Sequence, residues 1–297
     1  MKRTDLALEA RELWRESGAS QLPPGVTAET ETVSGSTVET LRVRSREGAE
    51  ALGKPEGTYI TIFPEAFLRR EEGAFEEAAE LLGQLLRSLL GLKPEASVLV
   101  AGLGNEAITP DSLGPRTLRH VLATRHLVAS LPETFGAFRR VAVLETGVLG
   151  NTGMESAELV RAVAEKLRPD AVIAVDALAS RRLGRICRTV QLTDTGIVPG
   201  SGVGNRRSEL SRAALGVPVV GLGVPTVVDA ATLAADLTET AGLGEVRAED
   251  FGEYGAGMMV TPREIDQQTA MIARLLGYGI DLALHDLSVG DVTALVG

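Results

Sequence analysis

Two aspartates in this sequence stand where a sheet protein puts its chemistry. Asp111 lies in a polar, proline-bounded loop just past the apolar run 97–102, and Asp176 directly follows the apolar run 171–175. Both runs are rich in β-branched residues and read as strands buried on both faces. In an open α/β sheet, ligands bind beyond the carboxyl ends of such strands. Two carboxylates facing one crevice do not both ionise easily. One keeps its proton, so the pair supplies a general acid and a general base for splitting a bond with water. Asp176 also has a plainer reading, as the N-cap of a helix opening at Ala177-Leu178-Ala179. Spacing alone leaves both readings open.

Other constellations carry less. Gly102-Leu103-Gly104-Asn105-Glu106-Ala107 has the spacing of a dinucleotide fingerprint after a strand. Thr109-Pro110, however, falls where the pyrophosphate-holding helix should run, so no nucleotide is expected. The loop 199–205, with Gly200, Ser201, Gly202 and Gly204, offers backbone N–H groups for an anion or a substrate carbonyl, or is a mobile connector. Asp194-Thr195-Gly196 has the form of the pepsin-type triplet. That chemistry needs two copies in an all-β frame, and one copy here reads as a turn. Cys187, the only cysteine, follows an isoleucine and reads as a buried structural thiol. With it, the scattered His120, His126 and His285 make no zinc pattern, so no metal or other cofactor is expected. Arg181, Arg182, Arg185 and Arg188 form a solvated basic face or a contact for an acidic substrate.

These groups need a frame to position them. The chain has 297 residues, 44% hydrophobic and 24% charged, the composition of an ordinary globular protein. A net charge of −10 argues against a general nucleic-acid or anionic-membrane partner. One cysteine excludes an intrachain disulfide, and no signal-peptide-like or long apolar run is present, which together predict a cytoplasmic protein. Periodicity predicts helices over 1–17, 71–92, 115–130, 154–167 and 262–285, with a further one opened by Asp229. It predicts strands over 33–43, 57–63, 97–102, 140–144, 171–175, 189–192, 217–223 and 258–260, and a linker over 20–28. The alternation implies an α/β fold: a mostly parallel sheet with helices on both faces and an antiparallel addition at one edge, with 1–297 as a single domain.

Nine stretches taken together go further. They are Arg3-Thr4-Asp5-Leu6-Ala7-Leu8-Glu9, Gly102-Leu103-Gly104-Asn105, Thr109-Pro110-Asp111-Ser112-Leu113-Gly114-Pro115 and Thr124-Arg125-His126-Leu127, followed by 147–155, 175–181, 194–205, 223–230 and 260–266. In this order they resemble the germination proteases of spore-forming bacteria. The resemblance implies an aspartic-type endopeptidase, tetrameric and similar in fold to hydrogenase-maturation peptidases. It would degrade small acid-soluble spore proteins during germination, in the cytoplasm of the forespore or spore core. The family's two functional aspartates fall on Asp111 and Asp176, and Asn105 with the loop 200–204 are candidate oxyanion donors. The resemblance also implies a self-cleaving zymogen cut between Asp5 and Leu6, with a pro-segment 1–5 shorter than members usually carry. Neither nucleic acid nor membrane is expected as a partner. Two rival readings use the same acids: a metal-dependent peptidase with the aspartates as ligands, and a non-catalytic binding protein.

Overall fold

In the computed structural model, which describes residues 4–200, 208–244, 246, 250–251 and 257–296, the apolar runs form the centre of one nine-stranded sheet. In chain order the strands are β1 (Val26–Val33), β2 (Ser36–Val43), β3 (Gly57–Phe63), β4 (Val98–Leu103) and β5 (Val141–Gly147), then β6 (Ala171–Ser180), β7 (Val190–Thr193), β8 (Val219–Asp229) and β9 (Met259–Val260). Across the sheet they run β1-β2-β3-β7-β8-β6-β4-β5, with the short β9 paired to β8. The core strands β8, β6, β4 and β5 are parallel. From β8 outward through β7, β3, β2 and β1 the pairing is antiparallel.

β4, at the centre of the parallel half, is apolar and buried at every position because both of its faces are covered. Val98 and Val100 of β4 pack into the larger core with Leu82, Leu86 and Leu276. Leu99, Ala101 and Leu103 point the other way, onto Val160 and Ala164. Helices Ala74–Leu90 and Ile265–Leu284 cover the first face, and helix Ser156–Leu167 covers the second. A third cluster, with Ala7, Ala10, Leu41, Val43 and Tyr59, packs the helix Ala7–Glu16 against the antiparallel half. Among the described residues no helix is long and apolar enough to cross a membrane.

The sheet departs from the periodicity in four places. β1 starts inside the predicted linker and runs to the first residue of the predicted strand 33–43, and it forms a hairpin with β2 through Ser34 and Gly35 at φ 46° and 66°, the left-handed pair that a tight two-residue turn needs. Only Val26 of β1 is buried, so it carried no alternation to read. The predicted helix 115–130 is two helices, Leu113–Leu118 and Arg125–Ser130. Between them the Leu122 N–H is taken by the Asp281 carboxylate, and the Thr124 hydroxyl donates to the Arg139 carbonyl, so this backbone is held from outside. β8 runs six residues past its predicted end, to Asp229, which caps the next helix by accepting from the Thr232 N–H. A final helix, Val289–Val296, lies beyond the predicted elements.

Candidate active site

Gly102 and Gly104 flank Leu103, the last residue of β4, for a steric reason. Gly104 has φ +110°, and a Cβ there would sit 2.0 Å from the Asp111 carbonyl oxygen. The chain can therefore fold back closely enough for the Asn105 N–H to donate to both the Asp111 carbonyl (3.1 Å) and its carboxylate Oδ2 (2.8 Å). A 3-10 turn, Thr109–Asp111, carries the acid, and the Thr226 hydroxyl of β8 anchors the turn through the Pro110 carbonyl at 2.7 Å. Gly114 lets the following helix touch the sheet, since a Cβ there would meet Leu103 and Val175 backbone at 2.2–2.7 Å. Backbone thus fixes where the Asp111 carboxylate lies and how it turns.

Asp176 is held differently. The strand does not stop at Val175: β6 continues through Asp176 to Ser180, so the helix-cap reading of Asp176 is excluded. The residue is 7% exposed, and its Oδ1 accepts from the Ala177 N–H at 2.9 Å. Asp111 and Asp176 line the same cleft, a cavity of about 320 Å³ at the carboxyl ends of β4 and β6, which are neighbouring parallel strands. Its walls are mostly apolar, from Leu103, Ile108, Val148, Leu178 and Met259. Two carboxylates in a mostly apolar cleft are a layout suited to moving protons to and from a bound amide. Among the described residues no group of three or more His, Cys, Asp or Glu side chains converges as a metal site would.

The other sequence-derived residues divide. Asp5 and Gly200 line the cleft with the two acids. Leu6 is fully buried just before the helix Ala7–Glu16, in extended conformation. Asn105 contributes its backbone N–H to Asp111 and turns its side-chain oxygen to the Ala107 N–H, and it is not among the cleft-lining residues. Ser201, Gly202 and Gly204 lie outside the described residues. Asp194 is in a turn, its carboxylate accepting from the Thr58 N–H at 2.7 Å. Cys187 is buried, and burial pushes its thiol up to about 12.

Three of the four clustered arginines are engaged by acids of this chain instead of forming a solvated face, and the fourth, Arg188, is exposed. Arg181, 4% exposed, pairs with Glu16, Arg182 with Asp236, and Arg185 with Glu9 and Glu12. The fully buried Glu9 also accepts from the N–H groups of Arg181 (2.7 Å) and Arg182 (2.9 Å). These contacts clamp the N-terminal helix onto the end of β6. Asp5 is fixed there too: its N–H donates to the Ala179 carbonyl at 3.1 Å, and its Oδ2 accepts from the Ala179 N–H at 2.8 Å.

Two residues at this place carried no signal in the sequence. Lys54, after the glycine that ends a short helix, donates from Nζ to the Asp5 carbonyl at 2.7 Å. Burial lowers the pKa of its ammonium, while Asp5 and Glu9 raise it. Gln191 of β7 donates from Nε2 to the Asp5 carbonyl at 3.4 Å and accepts the Ala7 N–H on Oε1 at 2.7 Å. A lone lysine and a lone strand glutamine belong to no motif. Only the fold brings them to residue 5.

Known proteins agree on one relationship. A family model described as germination protease matches residues 5–241. A germination protease of Caldanaerobacter subterraneus subsp. tengcongensis is 42% identical over 308 residues, covering 95% of this chain and 94% of the relative. Those of Clostridium tetani and Clostridium perfringens are 38% and 37% identical, with 98% and 95% of both partners covered. Among solved structures, a NiFe hydrogenase maturation protease, HycI, from Thermococcus kodakarensis aligns with a TM-score of 0.37 and 17% identity, over 66% of this chain and 98% of its own. That likeness is too distant to carry weight.

Proposed function

Because this chain belongs to the germination protease family, we propose that it is an endopeptidase of spore germination that uses Asp111 and Asp176 as its catalytic pair and small acid-soluble spore proteins as its substrates. The observation that carries this reading is that both carboxylates line one cleft at the carboxyl ends of adjacent parallel strands. In the mechanism, one aspartate is ionised and takes a proton from water as the oxygen attacks the scissile carbonyl. The other is protonated, polarises that carbonyl, and then delivers its proton to the leaving nitrogen. A pair sharing one proton suits this task, since two adjacent carboxylates resist ionising together. Gly200, on the cleft wall, is the described member of the candidate oxyanion loop.

The same reading extends to self-processing between Asp5 and Leu6, with residues 1–5 as a pro-segment on a single α/β domain. Asp5 already lines the cleft, and the bond after it precedes the helix, so no helical turn must unravel to expose it. Asp5 is docked on Ala179, however, three residues beyond Asp176 and so about 10 Å along the strand. Cleavage therefore requires residues 4–6 to slip toward the pair, or to enter the cleft of another copy, as a tetramer would allow. The setting we propose is the cytoplasm of the forespore or spore core. Digestion of a purified small acid-soluble spore protein tests the activity, and intact mass with N-terminal sequencing tests the processing. The reading predicts substrate fragments and a new N-terminus at Leu6. An intact substrate would contradict the activity, and a mature chain starting elsewhere would contradict the processing site.

A further inference from the structure

Among the described residues, one flank of β6 has no neighbouring strand beyond Val175. The last rung of β4 on β6 sets Gly102 beside Val175, after which β4 turns off into the Asp111 loop. β6 continues to Ser180, paired on its other side with β8 as far as Val228. Residues 176–180 therefore offer the cleft a short sheet edge. With a two-residue period, Ala177 and Ala179 direct their N–H and C=O groups to that flank. The Ala177 N–H is taken up by the Asp176 carboxylate. Ala179 uses both of its groups on Asp5, and the Asp5 carboxylate stands where a partner strand's carbonyl would accept in a ladder.

The surroundings of Asp5 form a built receptor for extended chain. Lys54 Nζ donates to the Asp5 carbonyl at 2.7 Å and to the Thr4 carbonyl at 3.5 Å. The Gln191 amide spans Leu6, donating to the Asp5 carbonyl and accepting the Ala7 N–H. We propose that this flank of β6 is the substrate-binding edge of the protease, where a chain adds as an extra strand and Lys54 with the Ala179 N–H selects an acidic residue in it.

The selection follows from charge and desolvation. An ammonium drawn out of water is costly unless anions stand close by. Asp5 and Glu9 are the carboxylates acting on Lys54. A neutral side chain in the place of Asp5 would remove one of them and would leave the Ala179 N–H with a weaker acceptor. A chain extended along this edge from Ala179 also passes Asp176, about 10 Å back along β6, so recognition and chemistry share one groove. Residues 4–7 hold the far end of that groove in the structure, and a substrate must displace them. The proposal rests on the protease reading for its purpose, but its test does not depend on cleavage.

The test is fluorescence anisotropy of a labelled peptide copying residues 3–9, and of the same peptide with asparagine in place of its aspartate, titrated with the full-length protein. Wild type is expected to bind the aspartate peptide about tenfold more tightly, the scale of one hydrogen bond to a charged group. Lys54→Gln should shrink that preference to about twofold or less, and Lys54→Arg should keep most of it. Thermal melting checks that the variants fold, and Lys54→Met replaces the glutamine variant if it does not. Equal affinity of wild type for the two peptides, no binding of either, or a preference that survives loss of the lysine charge would overturn the proposal. Mass spectrometry of the same mixtures reads cleavage separately. Acid-dependent binding without cleavage would support the edge whatever the fate of the catalytic pair. Cleavage without acid preference would overturn the edge and leave the protease reading standing.

Discussion

Replacing Asp281 with asparagine should make this protein more stable, and increasingly so as the pH rises. Asp281 lies in the helix Ile265–Leu284, is fully buried, and accepts from the Leu122 N–H at 3.0 and 3.3 Å through its two oxygens. Burial pushes its pKa from an ordinary 3.8 to about 8, against a smaller lowering by the Leu122 N–H. The folded state therefore holds this proton over a pH range in which the unfolded chain has released it. Between pH 4 and 8 the native state binds the extra proton, so stability falls as pH rises. At about 1.4 kcal/mol per pH unit, the loss at pH 7 relative to pH 4 is roughly 4 kcal/mol. Asparagine has the shape of the protonated acid and keeps an oxygen for the Leu122 N–H, but it cannot ionise. Urea unfolding at pH 5, 6, 7 and 8 should give Asp281→Asn an advantage that grows by roughly 3–4 kcal/mol from the bottom to the top of that range. His285, pushed down to about 4 chiefly by burial, lowers stability as pH falls below its ordinary 6.5; that slope is common to both proteins and cancels in the difference. A difference that does not change with pH, or an asparagine variant less stable at pH 8, would refute the reasoning.

Three further outcomes follow from the same contacts. Gly104→Ala places a methyl on the Asp111 carbonyl in a left-handed backbone, so kcat should fall by about 100-fold or more through displacement of the acid; activity within a fewfold of wild type would show that the loop does not fix Asp111. Glu9→Gln leaves Arg185 without its buried partner and turns an amide N–H toward backbone donors, at a cost of about 2–4 kcal/mol in urea unfolding. An unchanged midpoint would mean that the clamp on the N-terminal helix contributes nothing. Exhaustive chelation should leave peptide turnover intact, whereas activity lost and then restored by one defined metal would convert the aspartates from proton carriers to ligands.

The parts of this fold that were legible in the sequence are those under the strongest burial. Strands β4, β6 and β8 are covered on both faces, so their continuous apolar runs identified them and their parallel setting. Asp111 stood out because a loop at such a strand's carboxyl end has few other uses for an acid. β1 stayed hidden because it is an edge strand with a single buried residue. The break at 119–124 was hidden for a different reason: it depends on Asp281 and Arg139, which lie far away in the chain. The arginines 181, 182 and 185 were visible as charge, but their partners Glu9, Glu12 and Glu16 on the first helix and Asp236 on the helix Ala230–Thr240 come together only when those helices dock. Lys54 and Gln191 illustrate the limit. A residue whose role is to meet backbone atoms of a distant segment leaves no periodicity and no motif behind.

The proposed chemistry depends most directly on the pairing of Asp111 with Asp176. Asp111→Asn and Asp176→Asn each keep the size of the side chain and an oxygen for the backbone N–H that orients it, while removing the ability to carry the catalytic proton. The decisive measurement is turnover of a small acid-soluble spore protein by each single variant and by the double variant, with thermal unfolding measured on the same samples. The predicted result is loss of turnover by about 10³-fold or more in either single variant, little further loss in the double, and melting close to that of wild type. Near-normal turnover by either folded single variant would contradict the catalytic pair.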